Sequence, residues 1–145
     1  MIQLDHVGLS VADLDAQATW YGTALGLETA NPFSIESLGI RGIFLVHPQT
    51  HWALELLARR GSEPGLHAPD PATAMLTRGY GHICLRVADV DATFEHLIAA
   101  GATERMAPSP APEPGVRMAF VSDPEGHLIE LIDRPGPVGE RRGHE

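Results

Sequence analysis

An eleven-residue phrase that occurs twice constrains the fold of this chain more than any other feature. Residues 6–16 read His-Val-Gly-Leu-Ser-Val-Ala-Asp-Leu-Asp-Ala, and residues 82–92 read His-Ile-Cys-Leu-Arg-Val-Ala-Asp-Val-Asp-Ala. The two copies are displaced by 76 residues (82 minus 6) and align without a gap. Self-similarity at a long, fixed displacement is typical of a duplicated structural unit. We therefore expect two homologous modules within the 145 residues.

Each copy of the phrase lies where a strand leads into a helix. Side chains alternate through residues 2–11 and 80–88 as expected for β-strands. Asp13 and Asp89 are suitable N-caps for the helices that follow, which Gly26 and Gly101 would end. Three strands are predicted after each helix: 27–35, 38–47 and 51–58, then 103–107, 116–122 and 127–133. The predicted fold class is α+β, with two tandem βαβββ modules forming an open eight-stranded cup or barrel and the helices outside.

The boundaries of these modules follow from the breaks in the pattern. Module one covers 1–58 and module two covers 80–134, joined by a linker rich in Gly and Pro at 59–79. We expect residues 1–134 to form a single domain, because neither half is predicted to cover its own sheet. The tail at 135–145 has little apolar content and is predicted to be disordered.

Composition excludes several classes of function. The formal net charge of −9 argues against nucleic acid as a partner. All ten basic residues are Arg, which excludes a Lys Schiff base. A single cysteine, Cys84, excludes an internal disulfide and a Cys-rich zinc cluster. Neither a signal peptide nor a membrane span is predicted, so we expect a cytoplasmic protein that binds no membrane.

Two His and two Glu are the candidate metal ligands. His6 and His82 begin the two phrases, and Glu55 and Glu130 follow them by 49 and 48 residues inside apolar strands. A carboxylate between apolar neighbours is either exposed on one strand face or buried and paired, since isolated burial of its charge is very unfavourable. Each residue alone is best explained by an exposed or structural role. Their recurrence in register favours a metal site instead.

Imidazole and carboxylate ligands without thiolate suit Zn, Ni, Co, Mn or Fe(II). Four protein ligands would leave two positions of an octahedral ion for waters or for a substrate with two neighbouring oxygens. Three further side chains share the predicted strand face with the two His: Ser10, Cys84 and Arg86. Arg86 could clamp a carboxylate or phosphate, or could form an internal salt bridge. We expect Ser10 and Cys84 to line the pocket.

Four motifs stand out in the chain: Asp5-His-Val-Gly-Leu-Ser-Val-Ala-Asp13, Leu54-Glu-Leu56, Gly79-Tyr-Gly-His-Ile-Cys-Leu-Arg-Val87 and Asp123-Pro-Glu-Gly-His-Leu-Ile-Glu-Leu131. Together they resemble the vicinal oxygen chelate superfamily. Its members include glyoxalase I, methylmalonyl-CoA epimerase, extradiol dioxygenases and the bleomycin resistance proteins. The resemblance covers about residues 2–134 and is nearest to glyoxalase I and the epimerase. It implies paired modules around one divalent metal, with His6, Glu55, His82 and Glu130 as the ligands.

The resemblance implies an isomerase or lyase that transfers a proton next to a carbonyl through a metal-chelated enediolate. Glu55 or Glu130 would be the catalytic base, with Glu36 or a metal-bound hydroxide as weaker candidates. The first alternative is an Fe(II) extradiol-type dioxygenase, which would use His6, His82 and Glu130 as its triad. The second alternative is a drug-binding resistance protein without catalysis. In each case we expect a small-molecule ligand and a homodimer.

Overall fold

The computed structural model describes residues 1–140, which divide into two compact units. The first unit is Met1–Gly65 and the second begins at Leu66, so the division falls within the predicted linker 59–79. The predicted disordered tail lies partly outside the described residues. No helix within residues 1–140 has the length and apolar character of a membrane span.

The first unit is a four-stranded sheet with one long helix. Strand β1 is parallel to β4, and the remaining neighbours are antiparallel, in the order β1-β4-β3-β2. A short 3₁₀ turn, Glu36–Leu38, separates β2 from β3. The bounds are β1 Val7–Ser10, α1 Leu14–Leu25, β2 Glu28–Ile35, β3 Ile40–Val46 and β4 Ala53–Arg59.

The second unit repeats this plan after a short helix, with sheet order β5-β8-β7-β6. Its bounds are α2 Pro71–Ala74, β5 His82–Arg86, α3 Val90–Ala99, β6 Thr103–Pro110, β7 Arg117–Ser122 and β8 Leu128–Ile132. The predicted α+β class and the two βαβββ modules are confirmed. Within residues 1–140 the eight strands form two four-stranded sheets, and no closed barrel is found.

Equivalent caps begin the two long helices. The Asp13 carboxylate accepts a hydrogen bond from the Ala16 N–H at 3.0 Å, and Asp89 accepts one from the Ala92 N–H at 2.9 Å. Each bond satisfies an N–H that has no partner within its helix. Gly26 ends α1 in the left-handed conformation, with φ of 69°. The repeated phrase therefore codes for the strand and also for the start of the helix.

An ion pair attaches the first turn of each helix to the third strand of its module. Asp15 pairs with Arg41 at 3.2 Å, and Asp91 pairs with Arg117 at 2.8 Å. Both the acidic and the basic positions differ by 76, the displacement of the repeat. The duplication therefore extends beyond the eleven-residue phrase to side chains that contact each other only in the folded modules.

Strand alternation separates a buried face from a more open face in each sheet. Leu54 and Leu56 of β4 are almost completely buried, as are Ile129 and Leu131 of β8. Glu55 and Glu130 lie between these leucines and isoleucines and point to the opposite face. The apolar cores against α1 and α3 therefore orient the two carboxylates.

The strands differ from the predictions most clearly in three places. Strand β1 begins at Val7 rather than at residue 2, and Ile2 and Leu4 are exposed. The strand predicted over 27–35 carries an irregularity at Asn31-Pro32, because the register of β2 with β3 shifts between Ala30 and Phe33. Strand β6 continues to Pro110, beyond the predicted end at 107. An edge strand tolerates proline because one of its sides needs no backbone donor.

Candidate metal and substrate site

His6 and Glu55 lie together on the open face of the first sheet. Gly8 is paired with Glu55 between β1 and β4. Because side chains alternate along the strand, Glu55 lies on the same sheet face as His6, Gly8 and Ser10. The His6 Nε2 atom is 3.6 Å from the Glu55 Oε1 atom. The Glu55 side chain is 19% exposed, which leaves the carboxylate accessible from one side.

Two further residues contact the His6 ring. The Nδ1 atom of His6 is 2.8 Å from the Asp5 Oδ2 atom. The ring of Phe44 meets the imidazole edge to face, with centroids 5.1 Å apart. The pKa of His6 is raised, mainly by the hydrogen bond to Asp5 and further by the negative charge of Glu55, while burial opposes the shift. The surroundings of this ring therefore favour a hydrogen at Nδ1.

The second unit holds the equivalent pair at closer range. The His82 Nε2 atom is 2.9 Å from the Glu130 Oε2 atom. Phe120 contacts the His82 ring edge to face, with centroids 5.2 Å apart. The side chain of Glu130 is 16% exposed. Both modules therefore present a His, a Glu and a Phe in the same arrangement.

Phe44 and Phe120 are site residues that the sequence prediction missed. Positions 44 and 120 differ by 76, as positions 6 and 82 do, and each Phe is paired across strands with the Glu of its module. The signal was present in the sequence as a second set of repeated positions. It was hidden because the segments around the two Phe residues share few other residues.

Cys84 lies beside Glu130 on the open face of the second sheet. The two residues are directly paired between β5 and β8. The pKa of Cys84 is raised to about 12, most by burial of the thiol and then by the charge of Glu130 and a hydrogen bond to it, while Arg134 lowers it. Although part of Cys84 is exposed, its thiol is poorly suited to act as a nucleophile. The pocket-lining role of Cys84 stays a prediction.

Arg86 is exposed at the end of β5, on the same strand face as His82 and Cys84. Within residues 1–140 it forms no ion pair, so the internal salt bridge considered for it is absent there.

Ser10 is exposed at the end of β1, on the same face of the sheet as His6. Glu36, the weaker candidate base, is exposed in the 3₁₀ turn rather than on a strand.

The structure thus brings the four predicted ligands together as two pairs, one in each unit. No group of three or more His, Cys, Asp or Glu is arranged to hold a metal ion in the part of the chain that the structure describes. The donor set of each pair is nevertheless suited to a divalent ion. Ligands about 2.1 Å from one metal are separated from their neighbours by about 3 Å, close to the 2.9 and 3.6 Å of the two pairs.

A cavity of about 330 Å³ lies elsewhere, between α1 and strands β2 and β3. Leu14, Asp15 and Ala18 of the helix form one wall, so this cavity is on the side of the first sheet that carries the helix. Neither His6 nor Glu55 lines it. It is therefore separate from the candidate metal ligands.

The sequence profile of the Glyoxalase/Bleomycin resistance protein/Dioxygenase superfamily matches residues 3–131. The chain belongs to this superfamily. The resemblance inferred from the repeated motifs is thereby confirmed. The match covers both βαβββ modules and all four candidate ligands.

Among similar proteins, the chain is 34% identical over 137 residues to the ethylmalonyl-CoA/methylmalonyl-CoA epimerase of Cereibacter sphaeroides, covering 89% of this chain and 96% of that protein. It is 31% identical over 137 residues to the lactoylglutathione lyase GLX1 of Arabidopsis thaliana, covering 93% of this chain but only 45% of that protein. The chain thus spans less than half the length of this relative. These two relatives are named as a lyase and an epimerase.

The crystal structure of glyoxalase I from Zea mays has the same fold. It superposes with a TM-score of 0.72 over 92% of this chain and 45% of that chain, at 24% sequence identity. At this identity the similarity supports the fold alone. It confirms the predicted vicinal oxygen chelate architecture of paired βαβββ modules.

Proposed function

We propose that this protein is a divalent-metal-dependent isomerase or lyase that transfers a proton next to a carbonyl group. The observation that carries the proposal is the duplicated pair of a His ring nitrogen and a Glu carboxylate, His6 with Glu55 and His82 with Glu130. A single pair of this kind is commonly structural. Two pairs at equivalent positions of a duplication are best explained by one shared role.

We assign all four side chains as ligands of one divalent ion, chosen from Zn, Ni, Co, Mn and Fe. The donor chemistry supports the assignment, since imidazole and carboxylate together suit these ions. When bound, such an ion supplies a Lewis acid that polarises a substrate carbonyl with a neighbouring oxygen.

Glu55 and Glu130 are the candidate bases for the proton at the adjacent carbon. Each carboxylate lies on an open strand face while apolar neighbours hold its strand against the helix. The two carboxylates differ in their distance from the His of the same module: Glu130 is hydrogen-bonded to His82 at 2.9 Å, whereas Glu55 is 3.6 Å from His6. Proton transfer by a positioned carboxylate is a common form of general base catalysis.

Arg86 is proposed to bind an anionic part of the substrate. Its exposed guanidinium can form two parallel hydrogen bonds to a carboxylate or phosphate. Cys84 would line the pocket beside Arg86, and Ser10 would line the equivalent face of the first module. The proposed substrate is therefore a small molecule with two neighbouring oxygens and a negative group.

Elemental analysis of the purified, metal-replete protein tests the metal site. We expect one metal ion per chain in the wild type and loss of the ion from both Glu55→Ala and Glu130→Ala. Glu28→Ala is a matched control, because Glu28 is an exposed acidic residue of β2 that belongs to neither pair. A wild-type chain that binds no metal would contradict the proposal and favour the non-catalytic, drug-binding alternative.

An Fe(II) dioxygenase is the second candidate. The wider spacing of Glu55 from its His partner supports a ligand set of His6, His82 and Glu130 alone. In that case Glu55→Ala would keep its metal, and turnover would consume oxygen. Turnover that persists without oxygen, with Ni, Co or Zn, would exclude this candidate.

We also propose a homodimer, as the resemblance implies, and a location in the cytoplasm. Light scattering coupled to size-exclusion chromatography would measure the mass of the assembly, and a monomeric mass at all concentrations would contradict the dimer. Fractionation of the source cells would test the location.

A further inference from the structure

We infer that Asp5 is a positioning residue that orients the imidazole of His6 for a metal ion, so that the first module is better prepared for the metal than the second. This inference rests on the proposed function, since it concerns one ligand of the proposed metal site. It adds a residue that lies outside the four ligands and that acts through His6.

The geometry of the His6 ring carries the inference. Its Nδ1 atom is 2.8 Å from the Asp5 Oδ2 atom, and its Nε2 atom faces the Glu55 Oε1 atom at 3.6 Å. The ionised Asp5 carboxylate can only accept, so it selects the tautomer with hydrogen on Nδ1. The lone pair of Nε2 is then directed to the side of Glu55. A hydrogen-bond acceptor behind the ring fixes both tautomer and orientation of a metal-binding His.

The face of the ring is held as well. Phe44 meets the His6 imidazole at an interplanar angle of 86°. The carboxylate fixes the ring in its plane, and the phenyl ring restricts rotation about the side-chain bonds. The ligand nitrogen of His6 is therefore oriented before any ion binds.

The second module has the aromatic contact but no counterpart of Asp5. Position 81, which is 76 residues after position 5, is Gly81. His82 contacts Phe120 and Glu130. In the described part of the chain, the carboxylate that pairs with His82 is thus that of Glu130, which is itself a proposed metal ligand. Because this carboxylate can also only accept, it favours the His82 tautomer with hydrogen on Nε2, the nitrogen that would have to lose that hydrogen to bind a metal ion.

We expect the fold to tolerate replacement of Asp5. Its side chain is 91% exposed, and it precedes the first residue of β1. Effects of its replacement therefore report on His6 rather than on packing.

The test compares Asp5→Ala and Asp5→Asn with the wild type and with Glu28→Gln, an exposed control on β2 that makes the same charge change as Asp5→Asn. Competition with a chromophoric chelator measures the dissociation constant for Zn²⁺ on the full chain. We expect Asp5→Ala to bind about 10- to 100-fold more weakly, the usual effect of losing such a partner. Asp5→Asn should lie between it and the wild type, because its amide oxygen can still accept. Glu28→Gln should bind as the wild type does.

Nitrogen NMR of the imidazole rings in the metal-free protein supplies a readout that a purely structural role would not change. We expect the Nδ1–H tautomer of His6 to dominate in the wild type and a mixture in Asp5→Ala. An unchanged tautomer together with unchanged Zn²⁺ affinity in Asp5→Ala would overturn the inference. A wild type that binds no Zn²⁺ would instead overturn the proposed function, and the tautomer measurement would still decide whether Asp5 orients His6.

Discussion

The turn between β3 and β4 in the first module and the turn between β7 and β8 in the second occupy equivalent places, since positions 47 and 123 are 76 apart. In the first, the half-buried imidazole of His47 accepts hydrogen bonds from the N–H groups of Gln49 and Thr50 at 3.3 and 3.1 Å. In the second, the buried carboxylate of Asp123 accepts from two backbone N–H groups at 2.9 and 3.0 Å. The two modules therefore stabilise the same turn with different acceptors.

The duplication therefore preserved a geometry rather than a set of residues. Where the chemistry of a side chain matters, as at the His and Glu of each pair, the residue type recurs. Where only an acceptor is required, an imidazole in one module replaces a carboxylate in the other. The positions at which the modules differ on their open faces, Gly8 against Cys84 and Ser10 against Arg86, are therefore candidates for separate roles.

The largest expected effect concerns Cys84, which replaces Gly8 in the second module. Because burial and Glu130 raise the pKa of the thiol from 9.0 to about 12, the metal-free protein should react with iodoacetamide at pH 8 roughly 100-fold more slowly than an ordinary thiol. The urea-unfolded chain is the control, since Cys84 is its single cysteine. Glu130→Gln should accelerate the reaction. Equal rates in the folded and unfolded chains would show that the thiol is not perturbed.

The same shift has a definite sign for stability. The folded state keeps the proton of Cys84 at a pH where the unfolded state loses it, so this contribution is complete below pH 9.0 and is lost as the pH rises towards about 12. Urea unfolding of the metal-free protein across this alkaline range should show a smaller pH dependence for Cys84→Ser than for the wild type.

The two turns give the second prediction. Asp123→Ala removes a buried acceptor of two backbone N–H groups and the partner of His127 at 2.7 Å, and should lower the free energy of unfolding by about 3 kcal/mol. His47→Ala removes a more exposed acceptor and should cost about 1 kcal/mol. Urea unfolding monitored by circular dichroism measures both. Equal losses would contradict the ranking by burial.

The third prediction concerns the two aromatic contacts. Phe120 is 4% exposed, whereas Phe44 is only partly buried. Phe120→Leu should cost about 1 kcal/mol of stability, because it leaves a small void and removes the edge contact with His82. Phe44→Leu should cost less. A larger loss of stability for Phe44→Leu in the same unfolding experiment would show that the stability contributed by these aromatic side chains does not increase with their burial.

The smallest expected effect is at the ion pairs between helix and strand. Arg117 contacts both carboxylate oxygens of Asp91 at 2.9 and 2.8 Å, whereas Arg41 contacts those of Asp15 at 3.5 and 3.2 Å. Double-mutant cycles should therefore give a larger coupling for the second module, and both couplings should decline in about 1 M salt because exposed charges are screened. A coupling that is insensitive to salt would indicate packing rather than charge.

Much of the fold could be predicted because it depends on local pattern. The two Asp caps, the alternation around Glu55 and Glu130, and the repeat itself require only neighbouring residues, and the βαβββ modules they predicted are confirmed. The extent of β1 could not be predicted, since residues 2–6 alternate like a strand but form no ladder with β4. The irregularity at Asn31-Pro32 depends on the register in which β2 resumes its pairing with β3 after the shift, and no local pattern specifies that register.

The candidate site divides in the same way. The repeat placed one His and one Glu at equivalent positions of each module, and the structure shows them 3.6 and 2.9 Å apart. The assignment of all four to one metal stays a prediction. Asp5 was not recognised as a partner of His6, because adjacent residues of a strand normally point to opposite faces. Phe44 and Phe120 were overlooked because an aromatic residue between apolar neighbours is usually part of the core.

The amino-acid sequence was sufficient to predict the duplication, the class of fold and the residues most suited to bind a metal, because capping and strand alternation act over a few positions. The folded structure was needed to show that a carboxylate lies behind the His6 ring, that both His rings contact a Phe, and that two different acceptors stabilise equivalent turns. These contacts depend on the register between strands and on side-chain rotamers, and both are set by packing across the sheet rather than along the chain.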